Sequence, residues 1–339
     1  MLRTLCSVLL LGLFLLPGAC AAPSEEAETA GEPQTVTIYS GRNESLVKPL
    51  LDRFAEDNEI EIQVRYGSTA EMAATLMEEG EATPADLFIS QDAAALGALS
   101  SAQQLLPLPK TVLDRVPAAY ASPKGDWVGL SGRARTVVYN TELVQPEDLP
   151  QSLEAVTDPR YKGRFGIAPT NASFQAHMAA YRAARGPDAL EELLGGMNAN
   201  EPRFYPKNSP IVEAVLAGEI EWGLVNHYYL WRALAERPDA PGANFFMPEG
   251  PVSSFVNLAG VGMLHNTEAS RAVLEFLVSD EAQEYFAQET FEYPLVPGVA
   301  AAVDLPPLSE LKNTRVDFAD AGAVLEETLE AIRASGLLP

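Results

Sequence analysis

Strand-like and helix-like runs alternate three times between residues 35 and 99, and that alternation restricts the chain to an α/β layer with a parallel sheet. TVTIYS (35–40), IEIQVRYG (60–67) and ADLFIS (85–90) read as strands, the second with strict apolar–polar alternation. Between them, NESLVKPLLDRFAEDN (43–58) places Leu46, Leu50, Leu51 and Phe54 at helical spacing, with Asn43 as N-cap. TAEMAATLMEEG (69–80) reads as a helix ending on a glycine C-cap, and QDAAALGAL (91–99) as a third helix. Short strands separated by helices pair in parallel. Such sheets bind ligands beyond the carboxyl ends of their strands. The loop Ser40-Gly41-Arg42-Asn43 and the turn Ser90-Gln91-Asp92 occupy that edge.

Two longer apolar runs give the larger plan. WVGLSGRARTVVY (127–139) reads as one continuous strand with a flex point at Ser131-Gly132, and SFVNLAGVGML (254–264) is placed to run beside it. A second α/β set lies between them. GRFGIAP (163–169) is a strand, NASFQAHMAAYRAARG (171–186) a helix, and IVEAVLAGEIEWGLVN (211–226) a helix, a glycine turn and a strand. The chain therefore enters a second lobe near residue 135 and returns near 255. Double crossovers of this kind make a two-lobed clam with its ligand in the cleft. The expected division is 35–134 with 259–308 for lobe 1, and 135–258 with 309–339 for lobe 2.

The ends and the composition exclude several function classes. Residues 1–20 read as an export leader, with an apolar stretch from Val8 to Leu16 and the exit Pro17-Gly18-Ala19-Cys20. That exit resembles a bacterial lipoprotein processing site with Cys20 as the lipidated residue; ordinary secretory cleavage nearby is the alternative. Residues 21–34 are acidic, rich in Pro and Ala, and read as a tether that cannot bury a core. Cys6 and Cys20 are the only cysteines, so the mature domain has no disulfide and no thiolate metal site. The three histidines (His177, His227, His265) lack zinc-hydrolase spacing. With Lys plus Arg at 23 against 47 Asp plus Glu, the net charge of -24 repels nucleic acid. After the leader no apolar run approaches the ~20 residues of a membrane-spanning helix.

The tetrad Asn226-His227-Tyr228-Tyr229 stands where an apolar segment gives way to a helix-like one. On a first helical turn, adjacent phenols diverge little enough for both to reach one point. Two hard oxygens converging there suit a hard, highly charged cation. An aromatic pair packed under a helix has the same sequence. Similarly, Pro169-Thr170-Asn171-Ala172-Ser173 ends a strand and opens a helix, a natural cup for a small anion or a plain N-cap. Arg42 and Arg133 are further candidates to hold an anion. Asn208 and Asn226 sit at loop-like edges of the second lobe.

Taken in order, YSGRNESLVKPLLDRF, PADLFISQDAAALGAL, WVGLSGRARTVVYNTE, DPRYKGRFGIAPTNASFQA, NSPIVEAVLAGEIEWGLVNHYYL and EYPLVPGV resemble one family over nearly the whole mature chain. It is the ferric-ion-binding periplasmic proteins of bacterial ABC iron importers, also called bacterial transferrins. The resemblance implies an α/β two-lobed periplasmic-binding fold of type II, each lobe a mixed, mainly parallel sheet flanked by helices. It implies that Tyr228 and Tyr229 bind Fe3+ as phenolates. It implies also a synergistic anion, carbonate or phosphate, at Asn171, Ala172 and Ser173, with Asn208 and Asn226 beside it.

The chain departs from the family pattern in its first lobe. Well-known members carry a histidine ligand where this chain has Asn43 and a glutamate ligand where it has Gln91. Others add a tyrosine at the position of Asn171, or of Glu44. The anion would then complete the metal shell, with Arg42 to secure it and Glu44 or Asp92 as weaker oxygen donors. The reading is a non-enzymatic periplasmic or lipid-anchored carrier that hands ferric iron to an inner-membrane ABC permease. The alternative is the same fold with an anion or small organic solute as sole cargo. An enzyme on this scaffold finds no nucleophile with a positioned base.

Overall fold

The computed structural model of the protein describes residues 34–250, 252–311 and 318–338. The expected leader, Cys20 and nearly all of the tether lie outside the described residues. The first stretch follows the expected alternation: β1 (Thr35–Ser40), α1 (Glu44–Asn58), β2 (Glu61–Tyr66), α2 (Thr69–Glu79), β3 (Leu87–Ser90) and α3 (Ala93–Ser101), then the short α4 (Lys110–Leu113). The long β4 (Trp127–Asn140) leads to β5 (Phe165–Ile167), α5 (Ala172–Arg185), α6 (Pro187–Ala199), β6 (Arg203–Phe204), α7 (Asn208–Leu216), β7 (Trp222–Asn226), α8 (Tyr228–Glu236) and β8 (Gly242–Phe245). The return strand β9 (Val256–Met263) precedes α9 (Glu268–Leu277), α10 (Asp280–Thr290), β10 (Tyr293–Pro294), α11 (Phe318–Ala323) and α12 (Leu325–Ala334).

Local chemistry sets the helix starts that face the ligand edge. The Asn43 side chain accepts from Ser45 N–H and begins α1. Ser68 and Glu71 form a reciprocal capping box on α2, and Asp92 caps α3 through Ala95 N–H. Each cap starts its helix just past the end of a strand, so the loops after β1, β2 and β3 line one edge.

Strands run in the order β2-β1-β3-β9-β4-β7-β5-β6, with β8 and β10 pairing β4 off that path. The pairs β1/β2, β1/β3, β5/β6 and β5/β7 are parallel, as βαβ crossovers require. β4 and β9 are antiparallel to their neighbours and carry the chain between the two halves. Every residue of β4 is buried, because both its faces are covered, which is why its sequence shows no alternation. Its irregularity is a register shift between Gly129 and Ser131, immediately before the expected flex point.

The apolar side chains collect on either side of the crossover strands. One cluster joins Ile38, Leu50, Phe88 and Leu96 to Val128 and Leu258. A second is built on Phe165, Leu193 and Trp222, with Val137 of β4; the Phe165 and Trp222 rings stack at 4.5 Å. A third holds Ile211, Val225 and Leu230, with Val138 of β4. Truncating Leu50 or Leu193, both essentially inaccessible, to Ala is expected to cost about 2–5 kcal/mol. Among the described residues no helix is long and apolar enough to cross a membrane.

Candidate metal and anion site

β7 runs into α8 with only His227 between them, so Tyr228 and Tyr229 are the first two residues of a helix that starts at a strand's carboxyl end. Their rings stack with centroids 4.3 Å apart and planes at 28°. Tyr228 is 3% exposed, whereas Tyr229 is half-buried. Burial, and then the neighbouring Tyr229, push the Tyr228 phenol well above its ordinary value; Arg133 opposes them and Glu292 adds to them. Such a phenol ionises only when a strong positive charge is brought against it.

Both tyrosines line a cleft of about 670 Å³. Asn43, Glu44, Tyr66 and Gln91 come to its wall from the β1–β3 half, and Lys207 and Arg232 stand on the tyrosines' side. The Tyr66 hydroxyl and the Gln91 side-chain oxygen are buried without a hydrogen-bond partner among the described residues. Burial, with the carboxylates of Glu44 and Asp52, pushes the Tyr66 phenol up to about 12.

A polar cradle is built around one guanidinium. Arg135 is 2% exposed. Its Nη1 donates to Ser173 Oγ at 3.2 Å, Asn208 Oδ1 at 3.3 Å and Asn226 Oδ1 at 3.1 Å. The register of β4 against β7 places Arg135 opposite Asn226. Asn171 caps α5, its Oδ1 accepting from Ser173 N–H at 3.0 Å and Ser173 Oγ at 2.6 Å. Asn208 Nδ2 donates to Asn171 Oδ1 and Ser173 Oγ, closing the network. Ala172 is the first residue of α5, where backbone N–H groups have no partner inside the helix. The Arg135 Nε and Nη2 groups are buried and have no hydrogen-bond partner among the described residues. Burial lowers the Arg135 pKa to about 10, while Tyr229 and Tyr228 act to raise it, so the guanidinium lies within electrostatic reach of both phenols.

Asn171, Ala172, Ser173, Asn208 and Asn226 are thus brought together, but around Arg135, which sequence reasoning passed over. The signal was available: in GRARTV, Arg133 and Arg135 are two apart in a strand and share a face. Of the two arginines singled out from sequence, Arg42 lines the tyrosine cleft, and Arg133 lies two residues before Arg135 on β4 with its Nε buried and without a partner among the described residues. Arg133 donates through Nη2 to the Gln91 carbonyl. Arg42 donates through Nη1 and Nη2 to Glu292 at 3.1 and 3.0 Å in a buried two-point ion pair, so a carboxylate inside the protein already meets its charge. Glu292 also accepts from Ser131 Oγ. Burial alone would raise the Glu292 carboxyl, but Arg42, Arg133 and these hydrogen bonds hold it below the ordinary range.

Nearby donors are spent on structure. Asn43 Oδ1 accepts from Ser45 N–H and Ser45 Oγ at 3.0 Å each, and Asp92 Oδ1 caps α3 at 3.0 Å. His227 accepts through Nδ1 from Ala134 N–H at 3.1 Å and bonds the Phe291 carbonyl through Nε2 at 2.9 Å, which fixes the Nε2–H tautomer. Burial pulls its pKa down to about 4, so it is a neutral strut between β4, α8 and the segment after α10.

A two-lobed α/β frame with a polar interlobe cleft defines a class, the type II periplasmic binding proteins. The sequence profile described as bacterial extracellular solute-binding protein matches residues 82–321. The chain is 30% identical over 319 residues to the Fe(3+)-binding periplasmic protein of Serratia marcescens, spanning 92% of this chain and 93% of that one. It is 32% identical over 301 residues to the major ferric iron-binding protein of Neisseria meningitidis serogroup B, spanning 86% and 90%. Among solved structures, iron-bound HitA from Pseudomonas aeruginosa superposes with a TM-score of 0.81 at 29% identity, covering 90% of this chain and all of that one (100%). The Trichodesmium IdiA (FutA) structure in complex with iron and citrate superposes at 0.75 and 28% identity, covering 89% and 99%. The chain belongs to the ferric-ion-binding periplasmic proteins, within the bacterial extracellular solute-binding family.

Proposed function

We propose that this protein is an extracytoplasmic carrier of ferric iron. Tyr228 and Tyr229 bind Fe3+ as phenolates, and a synergistic anion such as carbonate or phosphate sits beside them on Arg135, the α5 start at Asn171–Ser173, Asn208 and Asn226. The observation that carries the reading is the stacked tyrosine pair next to a buried guanidinium whose Nε and Nη2 groups have no hydrogen-bond partner among the described residues. The tyrosines supply hard anionic oxygens, and the cradle supplies donors for an anion that lends the metal further oxygens. Ionising two phenols releases protons, so binding strengthens with pH. The chemistry is reversible coordination, with no covalent step.

The same reading assigns residues 35–134 with 259–308 to one lobe and 135–258 with 309–339 to the other, closing about β4 and β9. A lipid on Cys20 would hold the carrier at the membrane, and an ABC permease would take the iron. Ferric titration with visible absorbance, run with and without bicarbonate, tests the reading. A charge-transfer band that grows to one equivalent of iron is the expected result. No band, with an anion or organic solute bound alone, would instead make that solute the cargo.

A further inference from the structure

We propose that Tyr66 supplies a third oxygen to the ferric ion, from the wall of the cleft opposite Tyr228 and Tyr229. The inference rests on the iron reading above. It answers the question left by Asn43 and Gln91, neutral residues at positions where the family resemblance would put charged or basic ligands.

Position comes first. β2 ends at Tyr66, and its parallel register sets Tyr66 opposite Ser40, the last residue of β1. Gly67 N–H donates to Ser40 O at 3.1 Å, fixing the turn that follows. Tyr66 therefore stands at the carboxyl edge of the sheet, beside the loop that carries Arg42 and Asn43. It lines the same cleft as Tyr228 and Tyr229. Its ring packs against the first apolar cluster, so the side chain is oriented and not free on the surface.

Bonding comes second. A buried tyrosine hydroxyl ordinarily finds a hydrogen-bond partner. That of Tyr66 has none among the described residues. Asn43, on the same wall, spends its Oδ1 on capping α1, and the Asp92 Oδ1 caps α3. Gln91 offers one more unpaired oxygen, a neutral amide carbonyl. A phenolate is the harder, anionic donor of the two and the better match to Fe3+. Glu44, on the same wall, adds a negative field that favours a cation between the two walls.

The test uses the whole chain and Tyr66→Phe, which keeps the packed ring and removes only the oxygen. Ferric nitrilotriacetate is the probe. Ultraviolet difference absorbance counts phenolates formed per iron, and competition with the chelator gives affinity. The expected result is three phenolates per iron in the wild-type protein and two in Tyr66→Phe. Affinity should drop by at least about tenfold, as loss of groups around a metal typically gives, at an unchanged melting temperature. Equal phenolate counts and equal affinity in the two proteins overturn the role of Tyr66 alone. A wild-type protein that forms no phenolate with iron overturns the iron reading, and this proposal with it. If the variant melts early, the phenolate count of the wild type still decides: two per iron overturns the proposal, and three upholds it.

Discussion

Arg42 and Glu292 lie 250 residues apart in the chain and meet in a two-point ion pair whose side chains are each 1% exposed. The pair ties the loop after β1 to the segment after α10. Its neighbours continue the link, since Ser131 of β4 donates to Glu292 and the charge of Arg133 also bears on that carboxylate. His227 reaches the adjacent residue, Phe291, from the start of α8. The Arg42–Glu292 pair and the neutral His227 imidazole thus tie the segment after α10 to the loop after β1 and to the start of α8.

Replacing Glu292 with Gln should destabilise the protein by about 3–5 kcal/mol, because it strands a buried guanidinium. Urea unfolding at neutral pH measures this. The folded-state carboxyl lies below its unfolded value, so the pair's contribution is present above the unfolded carboxylate pKa of 4.5 and is lost as pH falls through the folded value. A Glu292→Gln protein as stable as the wild type would mean that Arg42 finds another partner.

Tyr228→Phe and Tyr229→Phe should each keep the fold, since the stacked rings remain, and each should weaken ferric binding steeply. The double variant should lose the visible band altogether. Ferric titration followed by absorbance, with circular dichroism as the folding control, reads both. Retention of the full band in the double variant would move the metal to other oxygens.

Much of this arrangement is legible in the sequence because local chemistry writes it. Alternation marks β2, helical spacing marks α1, and the capping side chains of Asn43 and Asn171 place two helix starts at the ligand edge. The cradle residues of α5, α7 and β7 were found together through the family resemblance. The pairing of Arg42 with Glu292 was not legible, because nothing local distinguishes an arginine that will meet a carboxylate 250 residues away from one left free. The role of Arg135 was hidden for the same reason. Its partners, Ser173, Asn208 and Asn226, come from three elements that only the sheet order brings to β4. The crossover strands showed themselves as long runs without apolar–polar alternation, interrupted by polar residues such as Arg133, Arg135 and Asn257. The bulge between Gly129 and Ser131 is a property of pairing, not of composition.

Stability should fall on mild acidification, and His177 is one cause. The residue is fully buried, stacks on Phe255 and bonds the Val252 carbonyl through Nε2 at 2.7 Å. Burial, with the charge of Arg135 adding to it, lowers its pKa from 6.5 to about 3. Between those values the unfolded chain takes up a proton that the folded chain refuses, so stability rises with pH across that window and levels off above it. The full window is worth on the order of 3–5 kcal/mol. Urea unfolding at several pH values should show this slope, and His177→Phe should flatten it. A slope unchanged in the variant would assign the acid sensitivity to the carboxylates.

Arg135→Gln should separate anion binding from metal binding. The substitution keeps a polar side chain of lesser reach on β4 and removes the charge that Asn208, Asn226 and Ser173 surround. Those three acceptors then lose a shared donor, so some stability is lost, about 1–3 kcal/mol for a buried network left short of a partner. The larger effect is expected in the cleft. Phenolates alone, the one proposed from Tyr66 included, leave part of the coordination shell of Fe3+ to other oxygens, and an anion without the guanidinium rests on neutral donors alone. In the wild-type protein stripped of small anions, adding bicarbonate, phosphate or citrate one at a time should tighten ferric binding and shift the visible band. In Arg135→Gln the same additions should change little, while the tyrosine band persists at reduced affinity. Full-strength binding by the anion-free wild-type protein would argue that the protein completes the shell itself, with Glu44 the first carboxylate to replace. An undiminished anion response in Arg135→Gln would place the anion elsewhere, against Lys207 or Arg232 on the cleft wall.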